Sequence, residues 1–170
     1  MRRVLVIVLA AFVTTLLLAS PMLGARPGPG GSSVSRTFVA PLSGAEVVPP
    51  ADTLARGNAV FRLNEAEDEL HFRLVVANIH NVTMAHIHLG PPGVNGPVVV
   101  WLYPMAPPPD LIEGRSSGVL ATGTITADDL VGPLAGEQLS ALMDWIRAGD
   151  TYVHVHTAQF PGGELRGQTR

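Results

Sequence analysis

Four of the six histidines in this 170-residue chain fall into two His-x-His pairs. His86 and His88 stand in "AHIHLGPPGVNGP", and His154 and His156 in "YVHVHTAQFPGGELRGQ". Side chains of a strand alternate between its faces, so the members of each pair point the same way, about 6.6 Å apart. Imidazoles at that spacing can converge on one ion through metal–nitrogen bonds of about 2.0–2.1 Å. If the two strands are neighbours, all four histidines could surround one site. Histidine-only ligation suits Cu(II) or Zn(II) better than calcium or magnesium, which prefer oxygen. The chain has no cysteine to supply a thiolate, and Met22, Met84, Met105 and Met143 form no cluster in the sequence.

A structural role for the same histidines stands beside the metal reading. Imidazoles can bond across adjacent strands, or to the loops "LGPPGVNGP" and "AQFPGG", and tie down a sheet edge. Such cross-strand pairs contribute roughly 0.2–1 kcal/mol each. Parity bears on both readings. Ala85, Ile87, Leu89, Val153 and Val155 alternate with the histidines and form the natural core set. The imidazoles then lie on the opposite face, in solvent or under a crossing loop. If "AQFPGG" is a turn, Glu164 and Arg166 share that face. Glu164 could fix an imidazole tautomer as an acceptor. Arg166 could draw in an anion, and the two could equally form a plain ion pair. His71 and His80 are isolated and read as ordinary polar or capping residues.

The elements that must carry these residues are mostly strands. "GNAVFRLN" and "ELHFRLVVANI" alternate apolar and polar residues around the acidic "NEAEDEL", and read as a hairpin with a solvated tip. "VTMAHIHL" reads as a third strand and "GPVVVWLYP" as a fourth, apolar on both faces and therefore central. "GVLATGTIT" is a fifth, "TYVHVHT" and "GELRGQT" form a last hairpin, and "TFVAPL" starts the domain. Pro104 to Gly118 reads as a long irregular loop. About eight short strands with Gly/Pro turns predict an all-β fold, mainly an antiparallel Greek-key β-sandwich or barrel. One amphipathic helix near the C-terminus interrupts it, with Leu139, Leu142, Met143 and Ile146 as its apolar stripe. Arg147 suits the carbonyl end of that helix, and Gly149 its left-handed terminus. Thr126 in "TADD" reads as the cap of a preceding short turn.

Before the first strand the composition changes. Arg2 and Arg3 precede the apolar run Val4 to Ala19, which reads as a secretory signal over residues 1–25. Left uncleaved, that run would be the chain's one membrane attachment. Residues 26–35, rich in Pro, Gly and Ser, read as a linker, and residues 36–170 as one folded domain. Such a domain, exported without disulfides, must be held by packing, or by packing plus metal. Every basic residue is arginine, and setting Arg2 and Arg3 aside leaves nine against 14 acids. No basic cluster marks a nucleic-acid partner. Nor does any Gly-x-Ser-x-Gly nucleophile elbow or pair of catalytic carboxylates point to an enzyme.

The ordered motifs "PLSGAEVVPP", "GNAVFRLN", "AHIHLGPPGVNGPVVV", "GTITADDL" and "LMDWIRAGDTYVHVHTAQFPGGELRGQ" resemble the chordin-type (CHRD) domain from about Phe38 to the C-terminus. The resemblance implies an extracellular all-β domain. Such domains occur in chordin, an antagonist of bone morphogenetic proteins, and in short secreted bacterial proteins. It carries over no catalytic residues, and the cysteine-rich modules of chordin are absent from this chain. The expectation is a secreted binding or structural module whose partner is a protein or surface ligand. The alternative is an extracytoplasmic copper or zinc domain using His86, His88, His154 and His156, with superoxide-dismutase-like redox chemistry as its strongest form.

Overall fold

The structure is a computed structural model that describes residues 35–170. The expected signal segment, and the linker up to residue 34, lie outside the described residues. Within them no helix is long and apolar enough to cross a membrane.

Seven strands are all paired antiparallel: β1 (Thr37–Ser43), β2 (Arg56–Leu63), β3 (Leu70–Leu89), β4 (Val98–Tyr103), β5 (Ile112–Ile125), β6 (Thr151–Thr157) and β7 (Leu165–Gln168). Pairings β1–β2, β2–β3, β3–β6, β6–β7 and β7–β1 close a ring, so of the two expected closures the barrel is the one formed. Ring neighbours are successive in the chain, except for an excursion through β4, β5 and the helix α1 (Leu139–Ala148) between β3 and β6.

The 20-residue β3 organises the site. Its first part pairs with β2 through Leu63↔Leu70 to Arg56↔Ala77. Its last part pairs with β6 through Val82↔Thr157 to Leu89↔Thr151. Along its other edge run β5 and then β4. Sequence patterning separates this segment into two strands at "NIHN"; in the structure they are one. Asn78 and Asn81 make the continuation possible by taking left-handed backbone angles, φ 56° and 52°, where the register with β5 shifts. Asparagine tolerates that region better than most residues. The Asn81 side chain accepts a hydrogen bond from the Gly114 amide at 2.8 Å, which fastens β5 at the bend.

Two further expectations are corrected. The segment 112–118, assigned by pattern to a loop, is the first half of β5, because backbone pairing to β3 outweighs its polar "IEGRSSG" composition. β4 is not central, since among the described residues β3 is its only strand partner. Its apolar character follows from cover instead: the Val131 amide donates to the Val99 carbonyl, and Val99 and Val100 are both buried.

The parity reading holds. Ile87, Val153 and Val155 are at most 1 % exposed and sit in one core with Phe61, Leu74, Leu165 and the α1 stripe. Leu139, Leu142, Met143 and Ile146 are all buried, and Gly149 (φ 79°) ends the helix by donating to the Trp145 and Ile146 carbonyls. Burial of such side chains supplies roughly 1.5–3 kcal/mol each and makes the barrel wall a firm support for its opposite face.

Candidate metal centre

β3 and β6 are direct neighbours, with His86 opposite His154, His88 opposite Tyr152, and Met84 opposite His156. Alternation therefore brings all four predicted histidines to one side of one strand pair. Ring centroids lie 5.3 Å apart for His86–His156, 5.6 Å for His86–His88, 5.5 Å for His88–His154 and 4.4 Å for His154–His156. All four side chains are buried, at 3–8 % exposure. Of the two placements open to this face, cover by loops is the one realised.

Two loops make the cover, and each fixes an imidazole. His88 Nδ1 lies 2.9 Å from the Gly96 carbonyl oxygen, and His156 Nδ1 3.0 Å from that of Pro161. A carbonyl can only accept, so both Nδ1 atoms carry the proton and both Nε2 atoms present a bare lone pair. Those two Nε2 atoms, and both ring nitrogens of His86, are buried with no hydrogen-bond partner among the described residues. Buried polar atoms are nearly always paired, so four such nitrogens in one cluster require a reason. One nitrogen each from His86, His88 and His156 lies within 4.8 Å of the other two. Three nitrogens on one tetrahedral zinc or copper ion would stand about 3.3–3.4 Å apart.

His154 sits differently. Its Nε2 is also buried and unpaired, but it faces the Gly163 backbone, where an added Cβ would overlap the ring. Gly163 has φ 116°, so the loop demands glycine twice over, for conformation and for space.

Charge favours ligation. Burial lowers the His86 pKa to about 3, with help from the neighbouring His156 and His88 imidazoles. Burial lowers that of His88 to about 4, partly opposed by its Gly96 bond and aided by His156 and Arg166. His154 and His156 are lowered too, again mainly by burial. The cluster is neutral at pH 7, the form in which imidazole binds metal.

Glu164 and Arg166 lie at this face, both buried, in roles other than those the sequence suggests. The Glu164 oxygens accept hydrogen bonds from Thr53 (2.7 Å) and Thr157 (2.8 Å), so they tie segments together. Arg166 donates to the Pro91 and Val94 carbonyls and to Asn95 Oδ1, which clamps the loop that presents Gly96. Its guanidinium lies 3.6 Å from the Tyr152 ring centroid, and that ring stacks on His88 at 4.9 Å. The Tyr152 hydroxyl accepts from the Gly96 amide at 2.9 Å. Trp101 sets its ring edge-on to His86 at 4.3 Å. Sequence reasoning missed Tyr152 and Trp101 as site residues, although Tyr152 has the parity of His154 and could have been placed by it. Outside the loop, a groove of about 460 Å³ runs between Val47–Asp52 and Gln159–Gly163, with Asn95 on its wall. His71 and His80 are exposed and away from the cluster, with His71 Nδ1 2.9 Å from Thr124 Oγ1.

Comparison with known proteins adds one match. The family model described as the CHRD domain covers residues 38–169, most of the chain. No curated protein and no solved structure matches.

Proposed function

We propose that this chain, which belongs to the CHRD domain family, is an exported binding module whose ligand is a transition-metal ion, copper or zinc. Membership supports a non-enzymatic binding or structural module at the level of the family. The finer reading names the ligand and its holders: His86, His88 and His156. One observation carries it. Carbonyl-bound Nδ1 atoms leave the Nε2 atoms of His88 and His156 bare and without a partner among the described residues, in a buried, neutral cluster where one nitrogen each of His86, His88 and His156 lies within 4.8 Å of the other two. Buried imidazole nitrogens are ordinarily paired, so three rings that converge with spare nitrogens favour a bound ion.

On this reading the barrel wall sets ring spacing, the Gly96 and Pro161 carbonyls set tautomers, and Arg166 holds the first of those loops. A bound ion would supply Lewis acidity or, if copper, electron transfer. The groove beside Gln159–Gly163 is the natural approach. Export by the signal over residues 1–25 is part of the proposal, as is the extent of the domain, residues 36–170.

The purely structural reading keeps one favourable observation, since the same Nδ1 bonds hold both covering loops. Elemental analysis of protein purified without an affinity tag, followed by Cu(II) and Zn(II) titration, separates the two. Wild type should take one ion per chain, and His86→Gln/His88→Gln should lose it while His71→Gln/His80→Gln keeps it. Equal, weak binding by all three proteins would leave the structural role alone.

A further inference from the structure

The donor set on this face has a softer member than its histidines. Met84 pairs in register with His156 on β6, two positions before His86 on β3. Its chain neighbour Ala85 is buried, and with Ile87 it faces the core. Alternation therefore puts the half-buried Met84 on the imidazole side. Directly opposed residues of an antiparallel pair have Cβ atoms about 4.5–5.5 Å apart, within easy reach of a methionine side chain. The segment reads Met84-x-His86-x-His88, a thioether and two imidazoles in line, against His156 across the ladder.

The charges around the cluster point the same way. The converging set consists of three histidines, with no carboxylate in it. Glu164 is buried, but its two oxygens are taken by Thr53 and Thr157. A buried cation also flanks the cluster: Arg166, 1 % exposed, is stacked through Tyr152 on His88. A divalent ion on these neutral donors would bring twice the positive charge of a monovalent one into a buried site, with the Arg166 guanidinium one ring away and the Glu164 carboxylate outside the ligand set. Uncompensated buried charge is costly. A monovalent ion halves the excess. Thioether ligands select Cu(I), whereas imidazole alone serves zinc and copper alike.

We propose that the ion held here is Cu(I), with Met84 supplying a thioether beside His86, His88 and His156. This rests on the metal reading above and narrows it from copper or zinc to one ion and one further ligand. Trp101, edge-on to His86, shields that flank.

The test uses the full exported chain and the metal ions themselves. Anaerobic Cu(I) competition with a chromophoric chelator and parallel Zn(II) competition are run on wild type, Met84→Leu and His86→Gln, each confirmed folded by circular dichroism. Wild type should hold Cu(I) more tightly than Zn(II). Met84→Leu, close in volume, should weaken Cu(I) at least about tenfold, the lower end of what loss of a supporting group costs a metal site, and leave Zn(II) unchanged. X-ray absorption of the Cu(I) form should contain a copper–sulfur path that Met84→Leu lacks. Zinc held more tightly than Cu(I), or Cu(I) binding indifferent to Met84→Leu, overturns the proposal while the histidine site stands. If His86→Gln alters the binding of neither ion, the site itself fails, and the proposal with it.

Discussion

One strand carries four of the chain's histidines to two different fates. Along the first part of β3, His71 and Arg73 face outward beside Arg62 of β2, in solvent. Along its last part, His86 and His88 face outward too, yet are buried. Alternation is the same in both parts, and so is the core beneath. What differs is the cover. Among the described residues no loop buries His71, which stays exposed, whereas the loops of Gly96 and Pro161 close over the buried His86, His88, His154 and His156. The strand aims a side chain, but the loop decides its dielectric, its protonation and whether its nitrogens are free. Substitutions at the covered end should therefore cost more than their counterparts at the open end.

Arg166→Met should give the largest effect on folding. It leaves the Pro91, Val94 and Asn95 acceptors unpaired and removes the stack on Tyr152. A loss of about 3–5 kcal/mol is expected in urea denaturation. Arg62→Met at the open end should stay within about 0.5 kcal/mol. Equal costs would mean that the loops are not clamped as described.

Gly163→Ala comes next. It combines a left-handed backbone (φ 116°) with overlap on His154, and should cost about 2–4 kcal/mol. Gly118→Ala has a similar angle (φ 124°) but open space around the new methyl, and should cost only about 1–2 kcal/mol. Thermal melts of the two variants compare strain alone with strain plus collision.

Acid should act through the covered end. In the unfolded chain histidine titrates near 6.5, while folding holds His86 near 3 and His88 near 4. Between those limits the unfolded chain binds more protons, so stability rises with pH. The contribution of the cluster is full above about 6.5 and is lost progressively as pH falls toward 3–4. Metal-free wild type should therefore lose denaturation midpoint across that window. His86→Phe should flatten the profile, and His71→Gln should not change its slope. A flat wild-type profile would contradict burial of the neutral rings.

A smaller effect should come from Thr53→Val. It deletes one of the two hydroxyls on the buried Glu164 carboxylate, for about 1–2 kcal/mol in the same assay. Thr124→Val, beside the exposed His71, should be nearly silent.

The sequence carries one half of this contrast well. A period of two fixed which residues share a face, and the placement of Ile87, Val153 and Val155 in the core follows from it. The helix was equally legible from its four-residue stripe and the glycine after it. The bend of β3 was not, because "NIHN" has the composition of a turn, and only the pairing of β5 across Asn78 and Asn81 keeps the strand running. Nor was the start of β5, where partner strands outweigh glycine and serine. At the site, the four histidines were legible and their cover was not. Which carbonyl of "PPGVNGP" or "AQFPGG" meets an imidazole depends on loop closure, and local pattern does not encode it. Arg166 and Glu164 were placed on the correct face, but their partners lie 71–75 and 7–111 residues away.

The most direct test is a long-range ¹H–¹⁵N correlation of the histidine rings in metal-free protein at pH 7, repeated with one equivalent of Zn(II). His88 and His156 should be single Nδ1–H tautomers with bare Nε2 atoms. The nitrogens of His86, His88 and His156 should shift together on adding the ion, while His71 and His80 stay still. Nε2–H tautomers at His88 and His156, or shifts confined to His71 and His80, would contradict the account.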